Sequence, residues 1–199
     1  VSTDRTEAIL GRLAHEIPTL RIIHNPPPRG FGIALRKGLE VFTGDAVVFY
    51  MADASDSPED VVLYFRTLER EKVDCVFGSR FVKGGEVVNY PRFKYMLNRV
   101  VNWGIRMLFR FKYNDVTNGF KLYHRRVIEG TRPFVSRHFN FTVELPLKAI
   151  SRGYTYHVVP NGWYGRESGA SHFKIGKLAP LYFFTIMYCW AEKQLLKKG

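Results

Sequence analysis

Two carboxylates lie where a short apolar run gives way to the start of a helix. Residues 47–50 have the β-branched and aromatic composition of a buried strand. Asp53 and Asp56 follow this run, and Ser57 and Pro58 then read as an N-cap and a first helical position. In open α/β sheets, ligands bind at the carboxyl ends of the strands. Hard oxygen ligands there suit Mg²⁺ or Mn²⁺ bridging the phosphates of a nucleotide; the alternative is an acidic loop that only caps a helix.

The elements that must position these carboxylates alternate between helices and short strands. Apolar residues at helical spacing predict helices over residues 3–14, 30–43, 58–71 and 144–152. Short β-branched and aromatic runs predict strands over 20–23, 47–50, 74–77, 120–123 and 154–159. This alternation predicts an α/β fold with a mostly parallel, doubly wound sheet.

The composition indicates an anionic partner. The 199 residues carry a formal net charge of +12, and the sequence pI is about 9.8. Such a balance favours a nucleic acid, a nucleotide or an acidic lipid. Cys75 and Cys189 lie far apart in the sequence, so we expect neither a disulfide framework nor a metal knuckle. No run reaches the roughly 18 apolar residues of a spanning helix, so we expect any membrane contact to be peripheral.

Two stretches have the composition of a membrane-surface segment. Residues 87–113 contain no acidic residue and mix arginines and lysines with aromatics that include Trp103 and Phe109. Residues 177–198 predict a helix with an aromatic and aliphatic first half and a basic end. Both profiles fit an anionic lipid interface. For each stretch the alternative is a helix packed on the domain, and a nucleic-acid groove lacks any accompanying recognition-module signature.

Motifs along the whole chain resemble those of one enzyme family. Each motif is short, but their order and spacing are specific. They are Ser2-Thr-Asp-Arg-Thr6, Asn25 through Ala34, Ala52-Asp-Ala-Ser-Asp-Ser-Pro-Glu59, Gly78-Ser-Arg-Phe-Val-Lys-Gly-Gly85, Asn98-Arg-Val-Val-Asn102, Asp115-Val-Thr-Asn-Gly-Phe-Lys-Leu-Tyr123, Glu144-Leu145, and Trp163 through Ser171. The chain resembles family-2 glycosyltransferases of the GT-A fold, and within them the polyprenyl-phosphate and dolichyl-phosphate hexose synthases.

The resemblance implies an activity and a set of site residues. The activity is transfer of a hexose from a nucleoside diphosphate to the phosphate of a membrane polyprenol, with inversion at the anomeric carbon. Asp115 is the expected catalytic residue, and we expect Asp115→Asn to lower turnover while leaving stability nearly intact. Asp53 is the expected ligand of Mg²⁺ or Mn²⁺, with Asp56 as a second oxygen donor. The residues expected to bind the nucleotide sugar are Gly30, Gly32, Asp53 and Arg80. Those expected to bind the acceptor or its phosphate are Arg99, Asn118, Lys121, Arg166, Ser171 and His172.

Three positions depart from the family pattern. Val1 stands where the family's first strand and its Asp-Asp pair have just ended, so we expect an N-terminal truncation. Met51 occupies the first position of the family's Asp-x-Asp motif, which leaves Asp53 as the retained metal ligand. His172 stands where a lysine is expected, so phosphate binding there should vary with pH.

The resulting expectation is a membrane-associated transferase in two parts. Residues 1–160 are predicted to form the GT-A domain, and residues 161–199 a basic loop followed by an interfacial amphipathic helix. The expected location is the cytoplasmic face of a membrane, with a nucleoside-diphosphate sugar, a polyprenyl phosphate and no nucleic acid as partners. Two alternatives stay open: a glycosyltransferase whose soluble or growing saccharide acceptor needs a general base, and a non-catalytic module that binds a nucleotide sugar or a membrane.

Overall fold

The computed structural model describes residues 5–53, 55–165 and 175–196. The helices are α1 Thr6–Glu16, α2 Phe31–Val41, α3 Pro58–Glu71, α4 Arg92–Phe109, α5 Arg125–Gly130, α6 Phe141–Ser151 and α7 Ile175–Leu196. The strands are β1 Ala46–Val48, β2 Cys75–Ser79, β3 Glu86–Val88, β4 Lys121–His124, β5 Tyr156–Pro160 and β6 Gly162–Tyr164.

The main sheet is mixed, with one reversed strand. Its four strands lie in the order β1-β4-β2-β5, and β3 pairs with β6 in a separate parallel ribbon. β2 and β5 are parallel, whereas β4 runs antiparallel to both β1 and β2. β1, β2 and β5 therefore point the same way and β4 points the other way. The predicted α/β fold with a mostly parallel sheet is confirmed, and the reversal of β4 is the feature that the alternation of elements did not reveal.

Both faces of the sheet are covered, because its central strands alternate between two buried sets of side chains. Val76 and Leu122 face α3, where they pack with Tyr64, Leu68 and other buried residues. Cys75, Phe77 and Tyr123 face the larger core, to which α2, α4, α5, α6 and α7 contribute. This arrangement makes three layers, with α3 on one side of the sheet and the remaining core helices on the other.

The start of α3 agrees with the sequence prediction. The Ser57 hydroxyl accepts a hydrogen bond from the Glu59 amide at 3.2 Å, and Pro58 is the first helical residue. Glu59 and Asp60 place negative charge in the first turn, where it interacts favourably with the helix dipole. The loop between β1 and α3 is therefore fixed at its helical end.

The strand predicted over residues 20–23 is wrong. This segment has no regular structure, and Ile22 and Ile23 are exposed. A β-strand needs a neighbouring strand to satisfy its backbone groups, and within the described residues none pairs with this segment. Its apolar composition alone therefore does not make it a strand.

The C-terminal helix α7 is present and packs on α6. Asn140 donates a hydrogen bond from Nδ2 to Thr185 Oγ1 at 2.8 Å, and Cys189 is buried against the main core. Phe183 and Phe184 lie on the opposite side of α7 and are exposed, so its apolar residues occupy both sides. In the described part of the chain, no helix combines the length and apolarity needed to span a bilayer. The division of the chain at residue 160 stays a prediction.

Asp74 joins three elements at the edge where β2 begins. Its Oδ2 accepts hydrogen bonds from the Thr155 amide at 2.9 Å and the Thr155 hydroxyl at 2.7 Å, and its Oδ1 pairs with Arg126. Burial by itself raises the pKa of Asp74, but these hydrogen bonds outweigh it and hold the pKa below its usual value.

The replacement Asp74→Asn should therefore weaken the fold in a pH-dependent way. A carboxylate with a lowered folded-state pKa stabilises the protein above its unfolded pKa, and this contribution is lost as the pH falls through the folded value. We expect the difference in free energy of unfolding between wild type and variant to be largest near neutral pH and to shrink below about pH 4. Urea unfolding across this range measures it, with the exposed Asp45→Asn as control. A difference that does not change with pH would contradict this account.

Candidate active site

Four chain segments meet at one edge of the main sheet. The loops after β1, β2 and β5 reach this edge because those strands point toward it. The turn before β4 reaches the same edge because β4 runs in the opposite direction. Arg80, Asn161, the turn 115–120 and the segment that carries Asp56 thereby become neighbours, although they are distant in sequence.

Arg80 and Asp115 form a buried bidentate ion pair in this cluster. Arg80 Nε donates to Asp115 Oδ2 at 2.8 Å and Arg80 Nη2 donates to Oδ1 at 2.7 Å. The Arg80 backbone amide also donates to Oδ2, at 3.0 Å. Asp115 is fully buried and Arg80 is 8% exposed. Burial lowers the pKa of Arg80, but the Asp115 charge outweighs burial and the pKa lies above its ordinary value. The two side-chain hydrogen bonds fix the orientation of the guanidinium.

The loop after β1 holds two acidic side chains next to this pair. Asp53 Oδ1 accepts a hydrogen bond from the Ser55 amide at 3.2 Å, and the Ser55 carbonyl accepts one from the Tyr164 amide at 3.0 Å. Asp56 is buried, and its Oδ1 accepts a hydrogen bond from Asn161 Nδ2 at 3.3 Å. Burial raises the pKa of Asp56 to about 6; the Asp53 charge adds to the rise and the Arg80 charge opposes it.

Asp53 and Asp56 supply hard carboxylate oxygens on one loop, the donor type that Mg²⁺ or Mn²⁺ prefers, and their role as metal ligands stays a prediction. Burial is the main cause of the raised pKa of Asp56 and the Asp53 charge adds to it; a divalent cation would oppose the second contribution by neutralising both carboxylates. Among the described residues, no third Asp, Glu, His or Cys joins them to complete a metal-binding group. A small, oxygen-preferring ion would therefore take its other ligands from water or substrate phosphates, as Mg²⁺ commonly does.

Asn118 and Lys121 make their hydrogen bonds within the protein, and their part in binding an acceptor phosphate stays a prediction. Both Asn118 N–H groups donate within the protein, to the Gly78 carbonyl at 3.0 Å and to Asn161 Oδ1 at 2.9 Å. Lys121 is buried, and its Nζ donates to the carbonyls of Val116, Asn118 and Thr142. Burial lowers the pKa of Lys121 to about 7; the Asp115 charge opposes this shift and the Arg80 charge adds to it. Each donor that was predicted to face phosphate already has a protein acceptor.

Arg99 lies at the surface beside the ion pair. Its guanidinium carbon is 4.7 Å from the centroid of the Phe81 ring, and the guanidinium carbon of Arg80 is 5.2 Å from the same centroid. Phe81 therefore contacts two cations, a buried one held by Asp115 and an exposed one on α4. Of the two cations, Arg99 is exposed to solvent and Arg80 is buried, so Arg99 is the one that is open to an anionic ligand from solution.

The glycines at the start of α2 are required by close backbone packing. A Cβ added to Gly30 would lie 2.3 Å from the Arg137 carbonyl oxygen, and one added to Gly32 would lie 2.7 Å from that of Ser136. The Gly32 amide also donates to the Arg137 carbonyl at 3.0 Å. Their part in binding a nucleotide sugar stays a prediction. Arg166, Ser171 and His172 lie outside the described residues.

Asn161 is a member of the site that the sequence analysis missed. It bonds Asp56 and Asn118 through its side chain, and its backbone bonds Ser79 and Glu86. It directly follows β5, just as Asp53 and Arg80 follow strands, so a polar residue after a strand was the signal that identifies it.

The protein-family and relative comparisons agree on the family. Residues 1–132 match the model described as glycosyl transferase family 2. The chain belongs to this family. Polyprenol monophosphomannose synthase from Mycolicibacterium smegmatis is 30% identical over 176 residues, which are 85% of this chain and 66% of that protein. Undecaprenyl-phosphate mannosyltransferase from Micrococcus luteus is 29% identical over 165 residues, which are 79% of this chain and 66% of that protein. The chain thus spans about two thirds of the length of these relatives.

Solved structures show the same fold. Glucosyl-3-phosphoglycerate synthase from Mycobacterium tuberculosis, in complex with Mn²⁺, uridine diphosphate and glucosyl-3-phosphoglycerate, aligns with a TM-score of 0.69 at 18% identity. The alignment covers 96% of this chain and 66% of that one. The same enzyme with uridine diphosphate alone gives a TM-score of 0.68 at 18% identity, over 96% of this chain and 66% of that one. At this level of identity the likeness establishes the fold, and the family assignment rests on the sequence matches.

In this family-2 glycosyltransferase, Asp115→Asn should destabilise the fold, contrary to the expectation from sequence alone. The variant would leave the Arg80 charge buried without its counter-ion, so we expect a loss of about 3 kcal/mol or more in the free energy of unfolding. Urea unfolding measures this loss. As control, the double replacement Arg80→Met with Asp115→Leu removes both charges and should recover much of the stability. An Asp115→Asn variant as stable as the wild type would show that the ion pair does not support the fold.

Proposed function

We propose that the protein transfers a hexose from a nucleoside-diphosphate sugar to a polyprenyl phosphate at a membrane surface. The matched relatives are named as synthases or transferases that act on polyprenyl phosphates. The observation that carries the proposal is the position of α4, which presents an exposed apolar and basic face while contacting the residues next to Arg80 and Asp115. An active site next to this face of α4 would be turned toward the membrane surface, where the phosphate of a lipid acceptor lies.

The exposed face of α4 consists of an outer stripe, which we define as Phe93, Met96, Val100, Trp103 and Met107. These residues recur at spacings of three and four and are 60–75% exposed. Arginines and lysines flank the stripe, and α4 contains no acidic residue. A second copy of such a helix would be repelled, whereas an anionic lipid surface would attract it. Phe109, predicted from sequence as a membrane contact, is instead 1% exposed and belongs to the core.

The exposed aromatics of α7 extend the apolar surface of the protein. Phe183 and Phe184 point away from α6, and Lys193 near the end of α7 donates to the carbonyl of Phe109 at the end of α4. The two helices are thus joined at their C-terminal ends. We assign α4 the main contact with lipid and α7 a supporting one, with the protein peripheral on the cytoplasmic face.

The chemistry suits an acceptor that is already anionic. An oxygen of the lipid phosphate attacks the anomeric carbon, the bond from that carbon to the diphosphate oxygen breaks, and its electron pair leaves with the nucleoside diphosphate. No proton has to be removed from the acceptor, so positioning and charge neutralisation supply the rate enhancement. A soluble hydroxyl acceptor would need a base, and both oxygens of Asp115 already accept hydrogen bonds from Arg80.

The side chains then divide into two groups. Asp53 and Asp56 would hold Mg²⁺ or Mn²⁺, which when bound neutralises the leaving diphosphate. Arg80, oriented by Asp115, offers Nη1 as a donor toward the donor phosphates, because Nε and Nη2 are used on Asp115. Arg99, held over Phe81 at the base of the outer stripe, is placed to meet the acceptor phosphate at the lipid surface.

Replacement of Asp53 tests the donor half of the proposal. We expect Asp53→Asn in the full-length protein to abolish metal-dependent binding of nucleoside-diphosphate hexoses and transfer to undecaprenyl phosphate in vesicles. A panel of labelled donors identifies the sugar and nucleotide, and Asp45→Asn at the opposite edge of the sheet is the matched control. Unchanged turnover in Asp53→Asn would remove the assigned role of Asp53.

Replacement of Trp103 tests the membrane half. Trp103 is 63% exposed, so Trp103→Ser should weaken binding to vesicles with little effect on folding. We expect anionic vesicles to bind better than neutral ones, salt to weaken this binding, and Trp103→Ser to weaken it further at high salt, since apolar burial is not screened. Co-sedimentation measures binding, with the exposed Phe65→Ser on α3 as control. Equal partitioning of the wild type to both vesicle types would favour a soluble acceptor.

A further inference from the structure

The inner side of α4 carries a polar clamp on the turn that contains Asp115. Asn98 and Asn102, one helical turn apart, both bond Thr117. Asn102 Nδ2 donates to Thr117 Oγ1 at 2.9 Å, the Thr117 amide donates to Asn102 Oδ1 at 3.3 Å, and Thr117 Oγ1 donates to Asn98 Oδ1 at 2.7 Å. Asn102 is 1% exposed, so these bonds form out of contact with bulk water.

The same helix also contacts the other half of the ion pair. Tyr95 packs edge-on against Phe81, with ring centroids 5.6 Å apart, and Arg99 lies over the same ring. Phe81 directly follows Arg80, and Thr117 is two residues after Asp115. One helix therefore holds the chain beside both members of the pair.

The apolar anchoring of α4 is uneven along its length. Ile105 and Phe109, its buried apolar residues, lie in its C-terminal half. The N-terminal half is attached through Asn98 and the contacts of Tyr95 and Arg99 to Phe81, and Asn102 follows just past the midpoint of the helix. The outer stripe lies on the opposite side of the helix from Asn98 and Asn102, because Val100 is about half a turn from each of them. A surface that contacts the outer stripe therefore contacts the same helix that bonds Thr117 on its inner side.

We propose that Asn98 and Asn102 are positioning residues that hold the orientation of the Arg80–Asp115 pair through Thr117. Binding of α4 to an anionic lipid surface then restrains this pair as well. This inference rests on the proposed function for the lipid contact, and on the geometry of the clamp for its route. Seating would restrain α4, and the clamp would restrain the turn 115–118, so the pair is held in one orientation when the acceptor lipid is within reach. The device links catalytic competence to the presence of the surface that carries the acceptor.

The test compares amide hydrogen exchange of the turn with and without vesicles of phosphatidylglycerol and phosphatidylcholine. The Thr117 amide donates to Asn102 Oδ1, so its exchange reports the clamp directly. In the full-length wild type we expect vesicles to slow exchange in residues 116–118 by about five-fold or more. Thr117→Val keeps the side-chain shape but removes the hydroxyl, and it should lose this slowing while still binding vesicles. Thr117→Ser keeps the hydroxyl and should restore it.

The matched control is Thr131→Val. Thr131 is buried like the clamp, and its Oγ1 donates to the Val127 carbonyl at 2.6 Å at the end of α5, so its loss also removes a buried hydroxyl bond. We expect Thr131→Val to lower stability but to keep the vesicle-induced slowing in the turn. In the transfer assay, Thr117→Val should lower kcat about ten-fold with the donor KM unchanged, and Thr131→Val should not.

Two failures are distinguishable. A wild type that binds no anionic vesicles would overturn the proposed function and with it the transmission from lipid. A wild type that binds vesicles, but whose turn exchanges at the same rate in Thr117→Val as in wild type with vesicles present, would overturn this inference alone.

Discussion

The buried ion pair between Arg80 and Asp115 is the constraint on which the rest of the site depends. Each charge is removed from water, and each would be costly without the other, so the end of β2 and the turn before β4 must stay together. Three hydrogen bonds join the two residues, one of them from the Arg80 backbone. The guanidinium therefore has a fixed orientation, and any ligand phosphate meets a preorganised donor rather than a flexible surface arginine.

The direction of β4 makes this pair possible. A residue that precedes a parallel strand lies at the amino edge of the sheet, away from the loops that follow the other strands. Because β4 is antiparallel to β1 and β2, Asp115 and Asn118 in the turn before it lie beside Arg80 and Asn161. One reversed strand thus brings a fourth segment to an edge that three parallel strands already supply.

Next to the pair, buried polar side chains form hydrogen bonds with one another. Asn118 bonds Asn161, Asn161 bonds Asp56, and Lys121 closes the turn from below through three carbonyls. A buried network of this kind is rigid when its hydrogen bonds are made, and it gives the acidic loop a defined distance from Arg80. The exposed surface of α4 differs from this polar network. It carries cations and apolar side chains, which suit a partner that is both anionic and apolar.

The sequence by itself determined the local features of this protein and the family to which it belongs. The N-cap at Ser57, the α/β alternation and Asp53 after a strand depend on neighbours in the chain, so a reading of short segments finds them. The partners of Asp115, Asn118 and Lys121 were decided only by the tertiary structure. These side chains have the same donors and acceptors whether they bond a phosphate or a backbone carbonyl. Which partner each one bonds depends on where the fold buries it. The same holds for Trp103 and Phe109, two aromatics on one helix, because one residue faces outward and the other lies in the core. The composition of the helix does not distinguish the two residues. The packing of α4 on the sheet and α7 determines which one is exposed and which one is buried.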